Sequence, residues 1–561
     1  MTFHGFKRFP QQNSLLFCLL LTLCSLIPSP SRGERLFVGI LEADSYQSVI
    51  YGASAFSRLA DLPLVLDLVQ TGLTRAMNVP TFAGIAENEP LRIIQTIEDS
   101  LPISSENPAN IALIPLNDNG RSLLEAYAST YQSKTPKTPF ITFSNPSDTN
   151  LSQNVTVAIV KRHLLASTSP DALEWAWQNR TRLLEAPLQS IPGTIRVLVN
   201  PKRFADLLAL ELAKTESFLK TDLLLHEFES FSFGVTFEGQ ALTLTLRGAP
   251  LAESTLATLV SAMRSPTSDL WERLPENAFF ASLSACDAPS LWNKYLGKTQ
   301  FRLLRPYSEI LSDDLVSGDR LRYLAATDQP SGICLVNREP IKNAKRVEEA
   351  LRNLHTRRVN DGITLTPLPQ RQVNGVTIIS YDVSYDSTAL TKDSESSDTA
   401  LLMTFLSLLL KHATLEATVD QGQLITVIGP EKAIDHVLKA RSFSNQSLTL
   451  ERRIRVQNQA FTEPLNTGAT LRLAALLRHL VTIIPEVKPE QIRMLPIGGD
   501  GTTFGITHEA DRTITASLRI HTNELAALQR INRDGRAVLQ ELFFQMFARQ
   551  MIETKKTPSQ P

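Results

Sequence analysis

The sequence predicts an α+β fold made of tandem duplicated modules, each a mainly antiparallel sheet packed against helices. Three observations lead there. VTVAIVKRHLLASTSPDALEWAW (Val155–Trp177) and ATLEATVDQGQLITVIGPEKAIDHVL (Ala413–Leu438) each read as strand, polar reversal, strand, then Ser-Pro or Gly-Pro opening a helix. LTLTLRGAPLAESTLATL (Leu242–Leu259) and ITASLRIHTNELAALQRI (Ile514–Ile531) align as strand then helix, in the same order along the chain. Phe231, Phe233, Val235 and Phe237 alternate with Ser232, Gly234 and Thr236, the period-two pattern of an antiparallel strand with one buried face. Self-similarity at a long, fixed spacing sets an architecture before any motif is considered.

Residues 1–33 read as a signal peptide. Lys7 and Arg8 supply positive charge, Leu15–Ile27 is uncharged and apolar, and Pro28–Gly33 offers small residues at cleavage spacing. A helix of roughly 13 residues rises about 20 Å, short of the ~30 Å hydrocarbon core. An uncleaved N-terminal anchor is the alternative. The expected location is therefore exported, either periplasmic or secreted.

The rest divides into segments A (34–190), B (191–275), A′ (276–445, repeating A) and B′ (446–535, repeating B), then a C-terminal amphipathic helix and tail (536–561). In A, the strand RLFVGIL leads into a helix carrying Val49, Ala53, Phe56 and Ala60 at helical spacing. A second apolar helix, LPLVLDLVQTGLTRAM, precedes the strands LRIIQTI and NIALIPL and the helix SLLEAYASTY. Ser144–Gln153, rich in Pro, Ser and Asn, reads as a loop before the repeated hairpin and helix.

In B, TIRVLV stops at Asn200-Pro201, which also opens an amphipathic helix; FESFSFGVTF and ALTLTLRG form a hairpin, and ESTLATLVSAMR closes the segment. A′ has AFFASLSA and GICLV as strands and a polar, acidic loop at Thr391–Asp398. B′ opens on a helix without B's clean strand, followed by IRMLPIGG, TTFGITHEA and TITASLRI as strands. In RAVLQELFFQMFARQMI, Leu539, Leu542, Phe543, Met546, Phe547 and Met551 fall along one side of a helix.

Composition narrows the partners. Lys plus Arg number 56 against 57 Asp plus Glu, a net charge of −1, whereas nucleic acid selects a basic face. The same balance disfavours a polybasic membrane-surface protein. No transmembrane helix is expected after residue 33, though membrane contact through an apolar face stays open. Outside the leader only Cys286 and Cys334 remain. Paired as a disulfide in an oxidising compartment, they would close a loop worth roughly 4 kcal/mol of chain entropy. Two separate buried thiols are the equal alternative.

The motifs of chemistry are missing. There is no G-x-S-x-G elbow, no H-E-x-x-H and no P-loop. His508, Glu509 and Asp511 cluster at a hairpin turn, where polar side chains are expected without a metal. Gly498-Gly499-Asp500-Gly501 lacks the Lys of a phosphate loop and reads as a tight turn. Asp313 and Asp314 have no detectable partner, and Trp175 and Trp177, two apart on a helix, point different ways. No catalytic, cofactor-binding or metal residue is therefore assigned, no cofactor is expected, and the reading leans away from an enzyme.

Through RLFVGILEADSYQSV, VDQGQLITVIGPEKAIDHVL and FESFSFGVTFEGQALTLTLRG, the chain resembles uncharacterised exported bacterial proteins carrying a domain of unknown function. The resemblance implies export and an α+β fold, and no activity or ligand. The expected function is a non-enzymatic scaffold of the cell envelope, binding an unknown ligand or envelope protein through a surface formed by its two halves. A periplasmic binder of lipid or another apolar ligand is one alternative; a hydrolase whose residues meet only in three dimensions is the other.

Overall fold

In a computed structural model, the structure describes residues 35–98, 109–117, 120–130, 132–133, 139–144, 154–185, 191–212, 225–265, 274–275, 278–287, 318–327, 332–356, 363–385, 413–439, 454, 465–482, 489–496, 499–509 and 512–534. Residues 1–33, read above as a signal peptide, Asp313 and Asp314, Thr391–Asp398 and the segment 536–561, expected to be helical, lie outside them. The chain forms two compact units, Met1–Ala252 and Glu253–Pro561, each a mixed α+β structure around mainly antiparallel sheet.

Unit 1 opens with β1 (Arg35–Ala43), followed by helices α1 (Tyr46–Leu59) and α2 (Leu64–Met77). Ser45 starts α1 by accepting a hydrogen bond from the Ser48 amide, and Asn78 ends α2 in the left-handed conformation. Then come β2 (Leu91–Glu98), β3 (Ala109–Pro115), α3 (Arg121–Thr130), β4 (Gln132–Ser133), β5 (Phe140–Ser144), β6 (Asn154–Val160) and β7 (His163–Ser167). Helices α4 (Pro170–Gln178) and α5 (Arg180–Glu185) lead to β8 (Ile195–Val199), α6 (Pro201–Leu212), β9 (Phe228–Glu238) and β10 (Ala241–Pro250). α4 begins as its sequence predicts, with Ser169 as N-cap and Pro170 in the first position.

The strands of unit 1 neighbour one another in the order β4–β5–β6–β7–β3–β2–β1–β8–β9–β10, all antiparallel. One face packs Ile94, Ile111, Leu113 and Leu165 against Ala172, Leu173 and Ala176 of α4. α1 comes close to β9: a Cβ on Gly52 would sit 2.5 Å from the Phe237 Cβ. At Gly234, the alternation expected of β9 gives way to burial on both faces, because the Pro192 carbonyl lies where a Cβ would be, 2.1 Å away.

Unit 2 contains α7 (Thr255–Ala262), β11 (Ala278–Ala285), β12 (Asp319–Ala326), β13 (Ile333–Pro340), α8 (Ala344–Arg352), β14 (Ile363–Pro367), β15 (Arg371–Val373), β16 (Val376–Tyr385), β17 (Thr414–Asp420), β18 (Gln423–Gly429) and α9 (Ala433–Lys439). It ends with β19 (Thr467–Leu471), α10 (Leu473–Thr482), α11 (Pro489–Met494), β20 (Thr502–His508), β21 (Ile514–His521) and α12 (Thr522–Asp534). Its strand order is β14–β16–β17–β18–β13–β12–β11–β19–β20–β21, with β15 added as a hairpin on β16. Strand for strand this is the order of unit 1, and the hairpins at Val155–Trp177 and Ala413–Leu438 hold corresponding places. α9 packs Ile434, Val437 and Leu438 on Leu321, Tyr323, Val336 and Val427; α8 covers Leu415, Leu424 and Leu335 on the opposite face.

Several details differ from the sequence reading. Segments 34–190 and 191–275 share one sheet, because β8 inserts beside β1; β19 joins 276–445 to 446–535 beside β11 in the same way. α7 belongs with unit 2, where Arg264 just beyond it pairs with Asp287 and Asp319. B′ does have its opening strand, β19. IRMLPIGG is not a strand: Pro489 and Glu490 open the short helix α11 through Met494.

Candidate functional site

Cys286 and Cys334 are both buried, and they are not bonded to each other. Cys286 follows the Ala285–Asp319 pair, whereas Cys334 faces Ala325, at the far end of β12. Six residues of strand span about 20 Å, whereas a disulfide needs Cα atoms within about 7 Å. The strand register therefore holds them apart. Burial pushes the Cys334 thiol up to about 12, away from nucleophilic use.

The other residues singled out in the sequence are used structurally. Trp175 and Trp177 both pack on the α4 core, Trp177 edge-on to Phe140 and under the Arg180 guanidinium. His508 ends β20, with its amide donating to Asn466 Oδ1, and Glu509 donates its amide to the Thr513 carbonyl; Asp511 lies outside the described residues. Gly501 takes a positive φ in this run, and Gly499 donates its amide to Glu524, whose other oxygen accepts from the Ala474 amide near the start of α10. Among the described residues no group of three His, Cys, Asp or Glu is placed to hold a metal ion.

Buried charges, which sequence inspection missed, form closed ionic clusters. Glu42 on β1 accepts from Arg92 Nε at 2.6 Å and from Arg196 at 2.9 Å, on the two flanking strands. Arg196 reaches Asp44 as well, and Arg92 donates to the Leu183 carbonyl at 2.6 Å. In unit 2, Glu416 accepts from Arg371 at 2.6 Å and from the Ile434 amide at 3.0 Å, while Arg371 also pairs with Asp435. Burial alone would lower the Arg371 pKa; its bonds to Glu416 and Asp435 outweigh that and raise it. Such matched charges tie neighbouring strands and helices together.

The surface of unit 1 has a different character at the α1–α2 hairpin. α2 buries Gly72, Leu73, Ala76 and Met77 in its second half, and nothing in its first two turns. Leu64 is 69% exposed and Leu68, one turn on, 45%; Leu59 and Tyr51 on α1 are also exposed. These are four of the six large hydrophobic residues exposed among the described residues. Single exposed leucines are ordinary, whereas these four residues fall on the two helices of one hairpin. The nearby charges are mixed, Arg58 against Asp61 and Asp67, without the basic rim that anionic lipid favours.

Compared with protein-family models, with curated proteins and with solved structures, the chain has no match.

Proposed function

We propose that this protein is an exported, non-enzymatic scaffold of the cell envelope that binds a partner protein through the α1–α2 hairpin. The carrying observation is the exposed apolar start of α2, with Leu64 and Leu68 on one side of the helix. Mixed charge around it favours a protein partner over a membrane surface. Export rests on the leader-like residues 1–33. The scaffold itself is proposed to be one ten-stranded module copied in tandem; the matching strand orders and corresponding hairpins support this.

The test replaces Leu64 with a photo-crosslinking amino acid in intact cells. One dominant adduct of defined mass is expected, lost when Leu68→Asp is added, with the melting temperature changed little because exposed substitutions cost within about 0.5 kcal/mol. Absence of any adduct, or an adduct indifferent to Leu68→Asp, would count against the reading.

A further inference from the structure

Corresponding positions in the two units differ in chemistry on both faces: the Glu42, Arg92 and Arg196 row of unit 1 is Leu283, Leu321 and Gly468 in unit 2, and the adjacent rows differ in the opposite sense. In unit 1, register aligns Ile195, Ala43 and Leu91 in one cross-strand row, and Val197, Leu41, Ile93 and Ala112 in the next. All seven are buried and apolar. In unit 2 the corresponding rows are Thr467, Ser284 and Arg320, then Ala469, Ser282, Arg322 and Asn337. Six of the seven positions have become polar, although the same strands pair in the same register. The fold does not require this, since unit 1 is built without it.

The charges in these rows do not balance. Glu339 on β13 pairs with Arg320 and also accepts from Asn337 Nδ2 at 2.7 Å. Arg322, two residues along the same face, has no hydrogen-bond or ion-pair partner among the described residues. Burial, then repulsion from Arg320, lowers its pKa to about 10, with Glu339 opposing. Two buried atoms in the same rows, Thr467 Oγ1 and Asn337 Oδ1, also lack partners among the described residues. An unpaired guanidinium and an unpaired buried hydroxyl are each costly, which makes their placement together informative.

We infer that Arg322, with the hydroxyls of Ser282, Ser284 and Thr467, forms a binding site for an oxyanion of the size of phosphate. The guanidinium supplies charge and a planar pair of donors, and the hydroxyls donate from neighbouring strands. Asn337 Oδ1 can accept from a protonated oxygen of the same anion. Arg320 is already matched by Glu339, so the site takes one net negative charge first. This inference is independent of the α1–α2 reading, which concerns unit 1 alone.

The experiment is calorimetric titration of the full chain with sodium phosphate at constant ionic strength, with acetate as the planar comparison, beside thermal melting. Saturable phosphate binding and a phosphate-dependent rise in melting temperature are expected for the parent chain. Arg322→Gln should weaken binding at least about tenfold, as expected for losing a charge-assisted pair of bonds, and should melt no lower than the parent without phosphate. Should Arg322→Gln fail to fold, the double variant Ser282→Ala/Ser284→Ala provides the same test, keeping the charge and removing two donors. Preference for acetate would overturn the assignment to a tetrahedral anion. No saturable heat, or equal affinity in the variants, would overturn the site itself and would mean that other carboxylates of the chain neutralise Arg322.

Discussion

Glu42→Ala is expected to destabilise the protein by about 3–5 kcal/mol, the range for breaking a buried charge cluster by removing one partner. The carboxylate sits on β1 between Arg92 of β2 and Arg196 of β8, and it is 3% exposed. Its removal leaves Arg92 with backbone carbonyls alone and Arg196 with the half-exposed Asp44. Glu42→Gln should cost nearly as much, because it keeps the shape and loses the charge. Replacing Glu42, Arg92 and Arg196 together with methionine should recover most of the loss, since no charge is then stranded. Urea unfolding of the full chain measures this as the midpoint of its first transition. A change below 1 kcal/mol in Glu42→Ala would show that water already shields the pair.

The second large effect is expected at Glu416, which joins β17 to the start of α9. One oxygen holds Arg371 and the other takes the Ile434 amide; Lys432 also donates its amide, at 3.3 Å. Glu416→Ala therefore leaves Arg371 with Asp435 alone and uncovers two amides, and should cost about 3 kcal/mol. Arg371→Met should cost less, because Glu416 keeps its amide bonds and Arg371 is a quarter exposed. Hydrogen exchange at the Ile434 amide separates the two: it should accelerate in Glu416→Ala and change little in Arg371→Met. Equal acceleration in both would assign the cap to Arg371 rather than Glu416.

How much of this could be read from the chain depended on how local each feature is. The hairpins Val155–Ser167 and Thr414–Gly429 declare themselves, because alternation and the reversal lie within one short window. Ser169 and Pro170 announce α4 for the same reason. β19 escaped notice: Thr-Gly-Ala-Thr-Leu is short, contains glycine and runs straight into the apolar helix α10. The sharing of one sheet by β1 and β8 was also hidden, since it depends on pairing residues far apart in sequence.

The ionic clusters were illegible for a similar reason. Glu42 looks like any strand carboxylate until Arg92 and Arg196, 50 and 154 residues away, are placed beside it. The alternate arginines of DRLRYLAA do mark a polar face on β12. Only the register shows that serines flank them on β11 and that unit 1 is apolar there. The exposed start of α2 was not legible either: LPLVLDLVQTGLTRAM reads simply as an apolar helix, and only burial separates Leu73, Ala76 and Met77 from the exposed Leu64 and Leu68.

The claim on which the rest depends is that the same strands meet in the same register in both units. Cross-strand cysteine pairs test it at corresponding, sequence-distant positions: Ile40→Cys with Leu198→Cys in unit 1, and Ala281→Cys with Thr470→Cys in unit 2. After mild oxidation, peptide mapping should find both bonds, 40 to 198 and 281 to 470. A bond closing in one unit while its counterpart stays open, or joins another strand, would contradict the shared architecture.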